Sequence, residues 1–600
     1  MKFMQVSCYY TDRIAIFETE LKAKRKRSVL LSWIRLLVFL SFIASLILFF
    51  QLNHNLFCLI GSLFALSLFI FLVNRNLRLN ETETFLVNKL RVNKNEMQFL
   101  VHHYQEREAG DQYRTFNPYL ANDFDLFGKG SLFQYLNRCS TKMGKSKLAE
   151  SLCKSELDNR VIIERQAAIR ELCDKNDFMQ NFQAYGMLLP ENGREFVDLQ
   201  VWLDEPVEKL GLIKSLAVVF TLINVAWIIL AATGILTWSS LLLPIFISLF
   251  IVGSQSKKIG SAHARLGNVA KIFEKYTALF KTIEEESFQT SYLKGLQRQL
   301  SSQQGKASSL LASLFKLLSI FDIRDNVLIA YILNMICLFD IHIYGRLVKW
   351  KKHYTHDVTG WLSALSDMDA LISYATFAFN NREMVTYPRI SDKEFTFRAV
   401  EMGHPLLLPT VRVNNSLEFS GNPSTIIITG ANMAGKSTFL RTLSVNLILA
   451  MNGAPVCAKE FVFTPCDILS SIKIQDSLSN NESYFYAELV RIKEIIDHVQ
   501  QHPRTLVILD EILRGTNTKD KQTGSLGLLE KLITLQAVVI IATHDLVIGE
   551  LEKKYPDIVT NHCFEVELAD DQLIFDYRLK KGISKKLNAS FLMKKMEIID

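Results

Sequence analysis

The segment Ser424-Thr-Ile-Ile-Ile-Thr-Gly430-Ala-Asn-Met-Ala-Gly435-Lys436-Ser437 narrows the fold more than any other stretch of this 600-residue chain. A run of β-branched residues reads as a strand covered on both faces. The loop behind it carries a glycine at each end, and Lys-Ser opens a helix with Phe439 and Leu440. This is the Walker A arrangement, and its physical reason is local. Glycines let consecutive backbone N–H groups wrap a phosphate chain, and the helix N-terminus favours its negative charge. Lys436 can reach the β- and γ-phosphates of a nucleotide, and the Ser437 hydroxyl can hold Mg²⁺.

Two further strand ends complete a nucleotide site. Thr505-Leu-Val-Ile-Leu-Asp510-Glu511 is an apolar strand closing on two carboxylates. Asp510 would hold Mg²⁺ through water, and Glu511 would polarise the attacking water. Ala537-Val-Val-Ile-Ile-Ala leads into Thr543-His544-Asp545, where His544 can touch a γ-phosphate. Glu511, His544 and Lys436 are thus the candidate catalytic side chains, Ser437 and Asp510 the metal ligands, and ATP and Mg²⁺ the expected cofactors. Short apolar strands alternating with helical segments place an α/β domain at residues 395–600.

Hydrophobic residues make up 49% of the chain against 22% charged, and the surplus is concentrated. Residues 28–50, 56–73, 215–233 and 235–252 are apolar runs near the length of a bilayer span. They pair into two hairpins with short turns. Lys22, Lys24, Arg25, Lys26 and Arg27 precede the first, with Arg75 and Arg78 after it. Lys209 and Lys214 precede the second, with Lys257 and Lys258 after it. The turns carry no Lys or Arg, so by the positive-inside rule both hairpins begin and end in the cytoplasm. The expectation is a multi-pass protein of the cytoplasmic membrane whose soluble parts face the cytoplasm, in contact with lipid. A shorter apolar run, 327–339, is bracketed by Asp322, Arg324, Asp325 and Asp340 and reads as a core helix. The nine cysteines form no Cys-x-x-Cys pair, which fits reduced thiols. A net charge of +7 permits an anionic partner without arguing for one.

Taken together, Thr429-Gly-Ala-Asn-Met-Ala-Gly-Lys-Ser-Thr-Phe-Leu-Arg441, Leu509-Asp-Glu-Ile-Leu-Arg-Gly-Thr-Asn-Thr518 and Ala542-Thr-His-Asp545 resemble the P-loop, Walker B and His switch of the MutS family of mismatch-repair ATPases. Gly403-His-Pro-Leu-Leu407 resembles the family's entry into that domain. Upstream, Asp125-Leu-Phe-Gly-Lys-Gly-Ser-Leu-Phe-Gln-Tyr-Leu-Asn-Arg138, Arg165-Gln-Ala-Ala-Ile-Arg-Glu-Leu172 and the stretch 361–380 resemble its helical core. The resemblance implies nucleotide binding by Gly430, Asn432, Met433, Gly435, Lys436, Ser437 and Thr438, with Ser483 reaching the γ-phosphate of a partner subunit. The family's glycine-basic pair before that serine is replaced by Asn481-Glu482.

The fold expected is therefore multidomain: an N-terminal segment with a transmembrane hairpin (1–121), a helical MutS-type core containing a second hairpin (122–394), and an α/β P-loop ATPase domain of the ABC type (395–600). The resemblance further implies a homodimer that closes on ATP. The family's mismatch-reading domain, with its Phe-x-Glu wedge, finds no room in the first 120 or so residues. Two outputs follow. One is DNA binding (mismatched, branched or duplex). The other is a membrane scaffold or mechanical coupler acting on a membrane-protein partner, with no DNA role.

Overall fold

The computed structural model describes residues 3–52, 56–191, 194–206, 211–302, 305–392, 395–421, 423–473, 484–502, 504–569 and 572–584. Two helices, Phe3–Gln51 and Leu56–Leu100, pack side by side. They run far beyond the apolar stretches that predict them, because their polar continuations bury against the rest of the chain. Tyr10 donates to Asn380 Oδ1 at 2.8 Å, Asn93 and Gln180 exchange side-chain hydrogen bonds at 3.1 Å, and Glu96 pairs with Arg138 at 3.1 Å. The N-terminal segment thus shares one core with the helices that follow.

That core is organised around the 42-residue helix Phe339–Asn380, against which Lys142–Cys153 and Asn159–Asp174 pack. The apolar positions read from the sequence (Leu148, Ala149 and Leu152; Ile162, Ala168 and Ile169) are all buried there. Asp369 is enclosed at the junction. It accepts the backbone N–H groups of Ser140 and Thr141 at 3.1 and 2.9 Å and the Thr141 hydroxyl at 2.7 Å. Burial pushes its carboxyl pKa up to about 6.

A second apolar unit stands out from this core. Helices Gly211–Ala232 and Leu242–Glu285 leave Phe246 and Phe250 each 72% exposed, as the first pair leaves Phe57 and Phe64. By length and composition, four helices among the described residues are able to cross a membrane. The run at 327–339 departs from expectation. It does form a helix, Val327–Cys337, but one whose outer face is exposed, while Ala330 and Asn334 turn towards the second apolar pair. Shortness decides whether a helix crosses a bilayer; it does not decide which environment its faces meet.

The C-terminal region holds a six-stranded sheet in the order Gln572–Lys581, Val559–Ala569, Ser424–Gly430, Val538–Thr543, Thr505–Asp510, Asp467–Ser471. All neighbours are parallel except the first pair. Alternation along the strands divides two cores. Ile426, Ile428, Leu506 and Ile508 face the side of helix Lys436–Met451, and Ile427, Val507, Leu509 and Ile541 face that of helices Tyr484–Gln501 and Thr518–Thr534. A four-stranded sheet, beginning with Arg389–Ile390 and holding Thr396–Met402, Asn415–Ser420 and Glu460–Phe463, flanks it. Three parallel strands in register therefore deliver Gly430, Asp510 and Thr543 to the same sheet edge.

Candidate nucleotide site

The loop after Ser424–Gly430 is shaped by positions that favour glycine. Gly430 has φ 153°, and a Cβ there would lie 2.8 Å from the Phe564 carbonyl oxygen; Gly435, at φ 104°, faces the Tyr577 ring. Met433 adopts a left-handed φ of 68° and projects outward. Lys436 opens the helix and curls back. Its Nζ donates to the carbonyl oxygens of Gly430 and Ala431 at 2.8 and 2.9 Å, and burial pushes its pKa below the usual lysine value.

Ser437 Oγ donates to Asp510 Oδ2 at 2.5 Å. Asp510 Oδ1 is buried without a hydrogen-bond partner, and burial raises this carboxyl's pKa. Two hard oxygen donors thus converge, with one lone-pair site unclaimed, as a Mg²⁺ ion with its waters requires. Glu511 lies among three basic side chains: Arg514 at 3.4 Å, His544 at 3.7 Å and Lys436 at 3.9 Å. Its backbone is left-handed (φ 46°), and its N–H is held by the Ala542 carbonyl at 2.9 Å, tying the Walker B end to the strand that carries His544. Strain of this kind costs about 1–3 kcal/mol per residue and persists where the surroundings enforce it.

A cavity of about 440 Å³ lies over the loop, lined by Asn432, Met433, Gly435, Lys436, Ser437, Thr438 and Glu511 and also by the apolar side chains of Val411 and Val413 and the Tyr577 ring. The structure thus brings together Gly430, Asn432, Met433, Gly435, Lys436, Ser437, Thr438, Asp510, Glu511 and His544. Ser483 lies outside the described residues.

Other contributors escaped the motifs. Arg514 sits in the quoted Walker B stretch without an assigned role. Glu488, buried on helix Tyr484–Gln501, accepts the N–H groups of Leu513 and Arg514 at 2.7 and 3.3 Å and so sets the turn after Glu511. Asp123, from the helical core, accepts the N–H groups of Ile472 and Lys473 at 3.2 and 2.7 Å, while Asp125 pairs with Lys473 at 2.8 Å and with Arg441 of the Walker A helix at 3.3 Å. A partner that is a backbone amide some 350 residues away leaves no mark in a local pattern.

Residues 119–375 match the family model described as MutS domain III, and residues 426–596 match that of MutS domain V. The chain belongs to the MutS family. The Asp123–Lys473 joint therefore connects two MutS domains. Among curated relatives, the DNA mismatch repair protein MutS of Bacillus licheniformis is 29% identical over 259 residues, 42% of this chain and 29% of that protein. The Bacillus subtilis protein of that name gives the same figures. That of Protochlamydia amoebophila is 33% identical over 243 residues, 39% of this chain and 28% of the relative. The chain spans less than a third of the length of these relatives.

Proposed function

We propose that this MutS-family protein is a membrane-anchored ATPase that couples ATP binding and hydrolysis, within a homodimer, to DNA binding. The observation that carries the ATPase reading is the convergence of Lys436, Ser437 and Glu511 on one cavity, with Asp510 behind it accepting the Ser437 hydroxyl and keeping one buried oxygen unclaimed. Lys436 would give up its two carbonyl partners for phosphate oxygens. Ser437 and Asp510 would hold Mg²⁺, which supplies charge neutralisation on the phosphates. Glu511 would orient and polarise the attacking water, with Arg514, His544 and Lys436 3.4–3.9 Å from its carboxylate. The Asp123 and Asp125 contacts would pass changes at the site into the helical core. Anchoring is supported by the four long apolar helices and their outward-facing side chains, and the basic flanks favour a cytoplasmic ATPase.

DNA as the output is supported by the relatives, which are named as DNA mismatch repair proteins. A second reading, a coupler acting on a membrane-protein partner, is favoured by one observation: Leu242–Glu285 runs as one unbroken helix from the exposed apolar unit into the core. Detergent-purified protein assayed for hydrolysis with homoduplex, mismatched and branched DNA separates the two. Stimulation by DNA, with binding that weakens steeply as salt rises, supports the first reading. Turnover indifferent to every DNA rejects it and leaves the second.

A further inference from the structure

At the break between helices Val327–Cys337 and Phe339–Asn380 the freed backbone groups are taken by side chains, while Asn224 Oδ1 and Asp340 Oδ1 stay buried without hydrogen-bond partners. The two helices meet at 85°, and Leu338 between them takes a left-handed φ of 45°. A helix end leaves its last carbonyls without partners, and in water the solvent takes them. Here the side chains of a neighbouring apolar helix take them instead. Asn224 Nδ2 donates to the carbonyl oxygens of Met335 and Ile336 at 3.0 and 3.1 Å, and Thr221 Oγ1 donates to that of Cys337 at 3.2 Å. At the start of the next helix, Asn334 Oδ1 accepts the Asp340 N–H at 2.9 Å, and Arg324 lies 3.6 Å from the buried Asp340 carboxylate. Irregular backbone is tolerated at membrane depth only where protein groups satisfy it in this way.

Two rulers give the depth. Thr221 and Asn224 lie seven and ten residues beyond Lys214, and Ser248, which Asn224 also reaches, lies nine residues before Lys257. At about 1.5 Å per residue, both put the break about 10–15 Å inside the charged boundary. A hydrocarbon layer of about 30 Å has its middle there. Both arms return to that boundary. Arg324 Nη2 donates to the Ser256 carbonyl at the foot of the first arm, and in the second arm Gly345 faces Lys214. Between foot and break, Val327, Leu328, Tyr331 and Ile332 point outward, 54–77% exposed, beside the exposed faces of the flanking helices.

We propose that residues 326–345 form a re-entrant element. It enters the bilayer from the side of Lys214 and Lys257, turns at Leu338 near the midplane, and leaves by the same side. The acyl chains of that leaflet are the partner of its outer face. The proposal rests on the membrane reading of Gly211–Ala232 and Leu242–Glu285. It makes Phe339–Asn380 a continuous rod from mid-bilayer to Asn380, whose side chain holds Tyr10 and Glu96.

The test uses the full chain in phosphatidylcholine vesicles, with Cys8, Cys58 and Cys337 replaced by serine. Single cysteines at Leu328 or Ile332, both on the exposed face, carry an environment-sensitive fluorophore, with Val225 and Phe250 as controls within the hairpin. The expected result is an Ile332 probe quenched by lipids brominated deep in the chain and shielded from iodide, with Leu328 shallower. Cysteines at Asp325 and Lys349 should react with an impermeant maleimide from the same side. An Ile332 probe open to iodide beside lipid-shielded controls overturns the re-entrant element and leaves the hairpin standing. Controls open to iodide overturn both. Labelling of Asp325 and Lys349 from opposite sides makes the segment a full span and overturns the proposal.

Discussion

Asp123→Ala would separate the role of the joint between the two MutS domains from that of the proposed nucleotide site. The Asp123 carboxylate is 2% exposed and accepts two backbone N–H groups, from Ile472 and Lys473, immediately before the segment that holds Ser483. Hydrogen bonds to a charged acceptor contribute about 1.5–3 kcal/mol each, and an amide left buried without a partner costs a similar amount. Two such bonds set a ceiling of about 3–6 kcal/mol. Burial raises the Asp123 pKa, so the carboxylate already bears a desolvation cost that the alanine variant is spared. A net loss of about 2–4 kcal/mol follows. In a chain of several domains this appears as a fall of several degrees in the first thermal transition rather than as one global value. Asp123→Asn, which keeps one acceptor oxygen, should lose about half as much. The joint lies away from the phosphate loop, so ATP-induced stabilisation should persist in both variants while ATP-dependent protection of the core against protease is lost. A first transition within a degree of the parent, with protection intact, would refute the assignment of Asp123 as the joint.

Three other outcomes are expected. Glu488→Gln places an amide N–H₂ against the Arg514 N–H, so turnover should fall about tenfold, near 1.4 kcal/mol in barrier, with nucleotide affinity by thermal shift unchanged. His404, buried beside Arg441, has its pKa lowered to about 4. Against an unfolded value near 6.5, its stabilising effect is complete above about pH 6.5 and is lost as pH falls towards 4, by about 3 kcal/mol; His404→Gln should flatten that part of the stability–pH curve in denaturant titrations. Asp369 shifts the opposite way, up to about 6. Its folded state holds the proton more tightly, so stability falls between about pH 4 and 6 and levels off above, and Asp369→Asn should remove that slope.

The loop between strand Ser424–Gly430 and helix Lys436–Met451 was legible because its pattern is local. Gly430, Lys436 and Ser437 sit in one short stretch, and each strand before Asp510 and His544 is a continuous apolar run. Depth in the core was legible for Leu148 and Ile169, whose helical spacing marks a buried face. What escaped was set by distance or by environment. Asp123 and Glu488 act on backbone amides far along the chain, which no spacing rule detects. The helices Phe3–Gln51 and Leu56–Leu100 outrun their apolar stretches because their polar ends are held by Asn380, Gln180 and Arg138. The run 327–339 departs from a core helix because its apolar face and its polar contacts, Asn334 among them, answer to a neighbouring helix rather than to its own length.

The central claim is that Glu511 drives ATP hydrolysis at a site that Lys436, Ser437 and Asp510 assemble. Its most direct measurement is phosphate release by the purified parent, Glu511→Gln and Lys436→Ala, with retained radiolabelled ATP counted in the same samples. The expected result is a parent that hydrolyses ATP, a Glu511→Gln variant slowed about 100-fold or more that still retains ATP, and a Lys436→Ala variant that retains little. Hydrolysis by Glu511→Gln at the parent's rate would contradict it.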